Sequence, residues 1–539
     1  MTCSYSLKEN GEEMQIEESI VSSVAPVSEY AIIVDPQDNV AVVKTETAPG
    51  LKIELPDGRV VTITGQVTPG HRFATRQIAG GEFVLQYGQP IGTSLGINEG
   101  DPISRANMSN DVPVVRDLPE DLHTTAPDYL PEEERATFMG YRRPDGRVGT
   151  RNFVLIVPTS MCASHEAQQI STLAEFTLFN GQKYPNVDGV VALPHNKGCG
   201  CSDGSNIEVM LRTLTNYADH PNVGGVILID LGCEKTNLSL VERYLLKREK
   251  TFNKPFAKIG IQEIGGTQAA VARGLKEVEM MLAEVNRAAR EEVSISELVL
   301  GVKCGGSDGF SGLSANPSLG RAADTLVRSG GTVVITEIPE FCGAEHLLAN
   351  RAKDAATGRA VYRVVDWYKE YASKFGTVLG ENPSPGNVAG GLLNITIKSL
   401  GAMAKAGTTR VEGVIEYAEP PQTRGLQVMQ GPGYDQESTP GLVAAGCTVV
   451  VFTTGRGTTI GNAIAPVVKL ASNTPVFERM SRDLDLSAGG VIDGTESIDK
   501  VGARVFEHVR RVASGEVSAK AEEHKHREFQ IWAEQSVSL

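Results

Sequence analysis

The chain has 539 residues, more than one domain of about 100–200 residues can hold, and its 41% hydrophobic and 22% charged residues exclude a wholly disordered or fibrous protein. With 51 basic against 66 acidic residues the formal charge is -15, which argues against a nucleic-acid protein, since that would usually need a basic face. It does not exclude an anionic substrate, because a few local Arg and Lys residues can override the mean field.

In chain order, residues 1–28 carry Glu12, Glu13, Glu17 and Glu18 and lack the regions of a signal peptide, so they are expected to form a disordered acidic tail. No apolar run reaches the ~18–20 residues of a membrane span. Eight cysteines in so long a chain are not a disulfide scaffold, which predicts a cytoplasmic protein with reduced thiols. Residues 29–103 alternate short strand-like runs with turn signals such as PDG and TPGH and read as a compact β domain. Residues 104–139 are polar and Pro-containing, a surface linker that would leave the front domain dispensable for folding of the rest. From residue 140 the pattern is apolar strand, Gly-rich turn, amphipathic helix, repeated to about residue 390. The loop ENPSPGNVAGG (381–391) reads as a boundary, and residues 391–539 as a second unit of the same kind. Phe529, Ile531 and Trp532 mark a tail expected to dock. The fold class is α/β, a small β domain followed by two α/β units with mainly parallel sheets.

The 57 glycines fall in short clusters after apolar runs, as in turns that bring backbone close to a ligand. Four of those turns hold cysteines: Cys162 after FVLIVP, Cys199 after VVALP, Cys233 after VILID and Cys304 after LVLGV. The carboxyl ends of parallel strands lie on one edge, where ligands bind, so these thiols are expected to converge on a soft metal or an iron–sulfur cluster. A free cysteine also packs well as a small apolar residue, and no CxxC spacing marks these four. Cys201 is a spare beside Cys199, and Cys447 precedes its strand and belongs at the opposite edge. His195 suits general acid/base work, metal ligation or a hydrogen-bonded place in the core. Glu234 follows Cys233. Ser307 and Asp308 sit in a Gly-rich turn whose N–H groups can cradle a carboxylate or phosphate. Glu337 and Glu340 stand at another strand end, and Arg456 sits in a Gly turn, where a guanidinium can clamp a carboxylate. No P-loop is present, and no GxGxxG has its downstream acid.

GYRRPDGRVGTRN, GCEK, CGGSDGFSGLSANP, TEIPE, ENPSPGN, the helix with Lys398 and TTGRGT occur here in that order. Together they resemble the altronate/galactarate dehydratase family of sugar-acid hydro-lyases and its relative, the sulfolactate sulfo-lyase large subunit. DNVAVV and PGHRFA resemble the β-clip (SAF) domain of the same enzymes. The resemblance implies metal-assisted dehydration of an altronate- or galactarate-type acid to a 2-keto-3-deoxy acid. It implies catalytic roles for His195, Lys398, Glu234 and Glu337 and substrate contacts for Ser307, Asp308, Asn387, Arg456 and His71. Iron, as Fe²⁺ or a cluster, or another divalent metal, would be held by Cys162, Cys199, Cys233 and Cys304. The partners implied are a small sugar acid and a second copy in a homodimer, with no nucleic acid and no membrane. This sequence departs from the pattern at Asp35, Lys197, Val388 and Thr459, near expected substrate positions. The readings to be separated from dehydration are sulfite release from sulfolactate and a non-catalytic iron–sulfur redox sensor.

Overall fold

The computed structural model describes residues 24–113, 116–246 and 252–534. The expected acidic tail lies largely outside them, but its last residues are ordered. Ala25–Pro26 pairs in parallel with Lys52–Glu54, and Val27–Tyr30 forms a helical turn. In the front domain, Lys52–Glu54 and Val60–Thr62 pair as a hairpin that buries Ile53 and Val61 and exposes the residues either side, the period-2 pattern of a half-buried sheet. The domain runs past residue 103, because Met108–Ser109 adds a strand to Gln89–Ser94. The linker lies on the C-terminal body, tied by Arg116 to Glu345 at 2.8 Å and Asp366 at 2.7 Å.

Two parallel sheets follow. The first has four strands, β1 (Phe153–Pro158), β2 (Gly189–Ala192), β3 (Val223–Asp230) and β4 (Phe256–Gly260), in the order β2-β1-β3-β4. β1, β2 and β3 are buried along their whole length, as continuous apolar runs under helices on both faces should be. The covering helices include α1 (Ser164–Thr177), α2 (Ser205–Ala218) and α3 (Thr267–Val285).

The second sheet has seven strands, all parallel: β5 (Val299–Cys304), β6 (Thr332–Ile335), β7 (Val411–Ile415), β8 (Gly425–Met429), β9 (Val449–Thr454), β10 (Val467–Ala471) and β11 (Leu486–Ser487). Their order is β7-β8-β6-β5-β9-β10-β11. β5 and β6 therefore share a sheet with strands beyond residue 390, and the expected division there is corrected: the change of sheet falls between β4 and β5. The chain winds outward from β5 to β6, then returns to its other side with β9. The edge between β5 and β9 is thus a switch point, where an open α/β sheet leaves a crevice.

The front domain and the seven-stranded sheet share apolar packing, contrary to the expected independence. Val42, Ile32 and Tyr87 close over Phe310, Leu313 and Ile492. The tail docks as expected. Ile531 is fully buried, Trp532 stacks on Tyr368 at 6.2 Å, and Phe529 meets Tyr217 edge-on at 5.0 Å. Among the described residues no helix is long and apolar enough to cross a membrane.

Candidate active site

At the switch point, β5 runs into the turn Gly305–Gly306–Ser307 and β9 into Gly455–Arg456–Gly457. The two turns are laced together by the backbone N–H of Arg456 donating to the Gly306 carbonyl at 2.8 Å. Beneath them lies an ionic core. Glu337 accepts from Lys303 at 2.6 Å, from Lys405 at 2.8 Å and from the Cys304 N–H at 3.0 Å. Lys303 also meets Asp435 at 2.8 Å. Glu340 accepts from Lys398 at 2.7 Å and from the Cys304 thiol at 3.3 Å, while Lys405 donates to the same sulfur at 3.0 Å. Burial alone would strip Lys405 of its proton, but Cys304 and Glu337 outweigh burial and hold it charged. Lys303 is held charged by Asp435 and Glu337 against the same burial cost, and Lys398 by Glu340. Glu340 would be raised by burial, yet Lys398 and Lys405 keep its carboxyl low. Burial, with Glu337 beside it, pushes the Cys304 thiol up to about 12.

Cys304, Glu337 and Glu340 present donor atoms within 4.8 Å of one another, close enough for one metal ion. Their bonding does not suit one. Both Glu337 oxygens and one oxygen of Glu340 already accept from ammonium groups, the other Glu340 oxygen faces the thiol, and three lysines would repel a cation. The set reads as a preorganised charge network, in which each buried charge has its partner.

Around this core the loops bring polar groups to the crevice. Ser384 and Asn387 form a reciprocal N-terminal cap on the short helix Pro385–Ala389. From there Asn387 donates to the Ser307 carbonyl at 2.8 Å and accepts from Lys398 at 3.4 Å. Asp308 accepts from Ser311 in its own turn and from Ser472 and Asn473 after β10, all at 2.8–2.9 Å, and so ties two turns together. The Ser307 hydroxyl is buried without a partner among the described residues. Arg456 is exposed, with no side-chain hydrogen bond or ion pair among them. The front domain's TPGH turn presses on this rim. Gly70 has φ +85°, and a Cβ there would collide with the Gly390 carbonyl. His71 Nε2 lies 3.3 Å from the Ala389 carbonyl.

The expected convergence of four thiols does not occur. Cys304 is buried in the seven-stranded sheet, whereas Cys162, Cys199 and Cys233 are exposed in turns of the four-stranded one. His195 is not free for proton transfer. Its Nε2 lies 3.0 Å from the Pro158 carbonyl, its Nδ1 accepts from the Lys197 N–H at 3.2 Å, and burial drops its pKa to about 4. Glu234 is likewise occupied, by Thr159, Ser160, Leu231 and Gly232 at 2.7–3.0 Å. Glu337 is sealed in the ionic core, and Asp308 and Asn387 position the loops. Lys398, Ser307, Arg456 and His71 are the expected residues that border the crevice. Lys303, Lys405 and Asp435 were not anticipated, although a lysine inside the apolar run LVLGVKC is a signal that could have been read. A cavity of about 860 Å³ lies at the other edge, beside Val299, Thr332 and Thr448, where strands begin, and so away from this chemistry.

Three family models match the chain in succession. They are the altronate/galactarate dehydratase SAF domain over residues 29–111, the D-galactarate dehydratase/altronate hydrolase second domain over 140–286, and the D-galactarate/altronate dehydratase C-terminal domain over 295–537. The altronate dehydratase of Bacillus subtilis (strain 168) is 35% identical over 491 residues, covering 89% of this chain and 94% of that protein. The galactarate dehydratase (L-threo-forming) of Escherichia coli (strain K12) is 36% identical, covering 90% and 93%. The (2R)-sulfolactate sulfo-lyase subunit beta of Chromohalobacter salexigens is 33% identical, with 73% and 96% covered. With a β-clip front domain, a four-stranded middle sheet and a seven-stranded sheet matching the three models in order, the chain belongs to the altronate/galactarate dehydratase family.

Proposed function

We propose that the chain is a hydro-lyase that removes water from a sugar acid of the altronate or galactarate type and leaves a 2-keto-3-deoxy acid. The observation that carries this reading is the set of donors around one switch point: the Lys398 ammonium, and the Ser307 hydroxyl and Arg456 guanidinium, neither of which has a side-chain partner among the described residues. Loss of the proton α to a carboxylate puts a second negative charge on that carboxylate. Fixed cations and hydrogen-bond donors aimed at it lower the barrier most when they need no reorganisation. Arg456 suits the carboxylate, and Lys398, kept as an ammonium, suits the growing charge or the departing hydroxyl rather than the role of resting base.

Metal assistance belongs to this reading. The exposed thiols of Cys162, Cys199 and Cys233 suit iron, and the ammonium-ringed Cys304 set does not. When bound, iron supplies a Lewis acid for oxygen. We extend the reading to a homodimer in the cytoplasm, in keeping with exposed thiols that need a reducing compartment and with Leu173 and Phe176 exposed one turn apart on α1. A monomer at sedimentation equilibrium would overturn the dimer. The test of the activity is anaerobic incubation of the Fe²⁺-supplied protein with altronate, galactarate, other aldonates and sulfolactate. A semicarbazide-reactive keto acid from a sugar acid is expected. Sulfite from sulfolactate alone, or no product from any of them, would sink the reading. The dehydratases cover 89–90% of the chain against 73% for the sulfo-lyase subunit, which favours dehydration.

A further inference from the structure

In the front domain, Phe83–Gln86 and Gln89–Ser94 pair as a hairpin closed by the two-residue turn Tyr87–Gly88. Both turn residues have positive φ, +62° and +65°, the geometry of a type I′ turn. Asn and Gly suit that turn, whereas a tyrosine there is strained and must be held by its surroundings. The Asp38 carboxylate holds the backbone, accepting from the Tyr87 N–H at 3.2 Å and the Gly88 N–H at 2.9 Å. The body holds the side chain: a Cβ on Gly312 would collide with the Tyr87 hydroxyl. The hairpin tip is thus set into the C-terminal body.

Beside that tip lies a cavity of about 400 Å³, within the size range of small-molecule sites. Leu347, Leu400 and Met403 form its apolar wall, and Tyr87 and Gln89 close it from the hairpin. Arg351 is the one charged residue among those that line it. One Nη of Arg351 donates to the Gly407 carbonyl. Its Nε is buried without a partner among the described residues, and none of their carboxylates forms an ion pair with it. The side chain as a whole is only partly buried, so the guanidinium can be reached from the cavity. Asp324, the acid that acts on it through space, is already occupied. One of its oxygens accepts from the Thr408 and Thr409 N–H groups at 2.7 and 3.1 Å, the other from the Thr408 hydroxyl at 2.9 Å. Burial outweighs Asp324 and pulls the guanidinium down to about 10. A cation withdrawn from water without a counter-charge is costly, and a guanidinium edge with free N–H groups has the shape that takes a carboxylate.

We propose that this cavity binds a small organic acid with an apolar body, its carboxylate on the free edge of Arg351 and its body against Leu347, Leu400 and Met403. One guanidinium balances one carboxylate, whereas a phosphate would bring a second charge with no second cation to meet it. A sugar acid fits no better, because its hydroxyls would lose water against an apolar wall without gaining hydrogen bonds. The cavity is a second site and not part of the crevice. Lys398 and Leu400 lie two residues apart on the helix Ile395–Met403, and side chains so spaced do not share a face. Because Tyr87 and Gln89 come from the front domain and Arg351 from the body, a ligand here touches both sides of their joint.

The inference goes beyond the dehydration reading and does not rest on it, since binding is measured without substrate and a chain that makes no keto acid can still bind the probes. The probes are benzoate and hexanoate, titrated calorimetrically into the full-length chain at constant ionic strength. Benzamide, which lacks the charge, and acetate, which lacks the apolar body, are the controls. One benzoate or hexanoate per chain is expected, with both controls weaker by roughly tenfold or more. Arg351→Gln can still donate to the Gly407 carbonyl but loses the charge and the fork, and it should weaken both acids by roughly tenfold or more. Gln89→Trp crowds the cavity from the hairpin with Arg351 intact and should weaken them as well, which keeps the test open if Arg351→Gln does not fold. Arg456→Gln should bind both acids as the wild type does. No saturable binding of either acid up to about 10 mM would overturn the proposal. So would benzamide binding as tightly as benzoate, or loss of binding in Arg456→Gln with binding kept in Arg351→Gln, which would place the probes in the crevice.

Discussion

Both ring nitrogens of His195 are committed to backbone, one to the Pro158 carbonyl and one to the Lys197 N–H. That commitment fixes a pH dependence. An ordinary histidine titrates at 6.5, and burial holds this one near 4, so the fold favours its neutral form. The stabilisation is fully present above pH 6.5 and is lost as pH falls toward 4. The gap corresponds to about 3 kcal/mol. His195→Gln can keep both bonds without titrating, so its melting temperature should fall less steeply between pH 6.5 and 4 than that of the wild type. Parallel curves would mean that His195 is protonated without penalty. Its role was unreadable from the sequence because both partners are backbone atoms placed by tertiary contact. Arg456 was more legible, a guanidinium in a Gly turn after a strand, and among the described residues it has no side-chain partner. Arg456→Lys keeps the charge and loses the planar fork. A charge-assisted pair contributes about 1.5–3 kcal/mol, so KM for the sugar acid should rise roughly tenfold or more with the melt unchanged. Unaltered kinetics would take Arg456 out of the carboxylate site.

At the scale of elements, strand–turn–helix repeats were legible because apolar runs of strand length ended at Gly clusters. The number of sheets was not legible. Parallel strands pair with partners far away in sequence, and every βα unit looks alike, so four cysteines in equivalent turns were assigned to one edge when they belong to two. The helix Ala355–Ser373, with Trp367 and Tyr371 stacked at 4.9 Å, was not anticipated either. ENPSPGN was read as a boundary, since Pro and Gly punctuate both linkers and tight functional loops. In the structure it caps a helix and holds the Ser307 turn. Asn387→Ala removes one half of that cap and the donor to Ser307. Stability should drop by about 1–2 kcal/mol in urea unfolding, and kcat should fall at least tenfold with a smaller change in KM. Asn387→Asp restores the cap without the donor and should recover stability but not kcat. Recovery of both would assign Asn387 to the cap alone.

For the whole molecule, the question is how the front domain is held. The linker composition pointed to independence, because polar, Pro-bearing stretches usually carry few contacts. Composition reports on the linker and not on the faces it joins. Here Phe310 and Leu313 follow the Gly-rich turn of β5, Ile492 lies past β11, and all three are covered by Val42, Ile32 and Tyr87 of the front domain. Asn394 donates across the same joint to the Ile91 carbonyl at 2.7 Å, and Arg105 to the Leu393 carbonyl at 2.7 Å. A chain beginning at Met139 would expose those three apolar side chains. At about 1.5–3 kcal/mol for each side chain uncovered, the loss is roughly 5 kcal/mol or more, a large share of the ~5–15 kcal/mol that holds a protein folded. The truncated chain should therefore melt at lower temperature and bind a hydrophobic dye. Supplying residues 24–138 as a separate polypeptide should restore part of the lost melting temperature, because the same surfaces would be covered in trans. The turns that carry Ser307 and Asn387 sit under this joint, so keto-acid production should return together with the melt. A truncated chain that melts like the full-length protein and binds no dye would show that the joint contributes no stability and that the front domain serves only as a cover for the crevice.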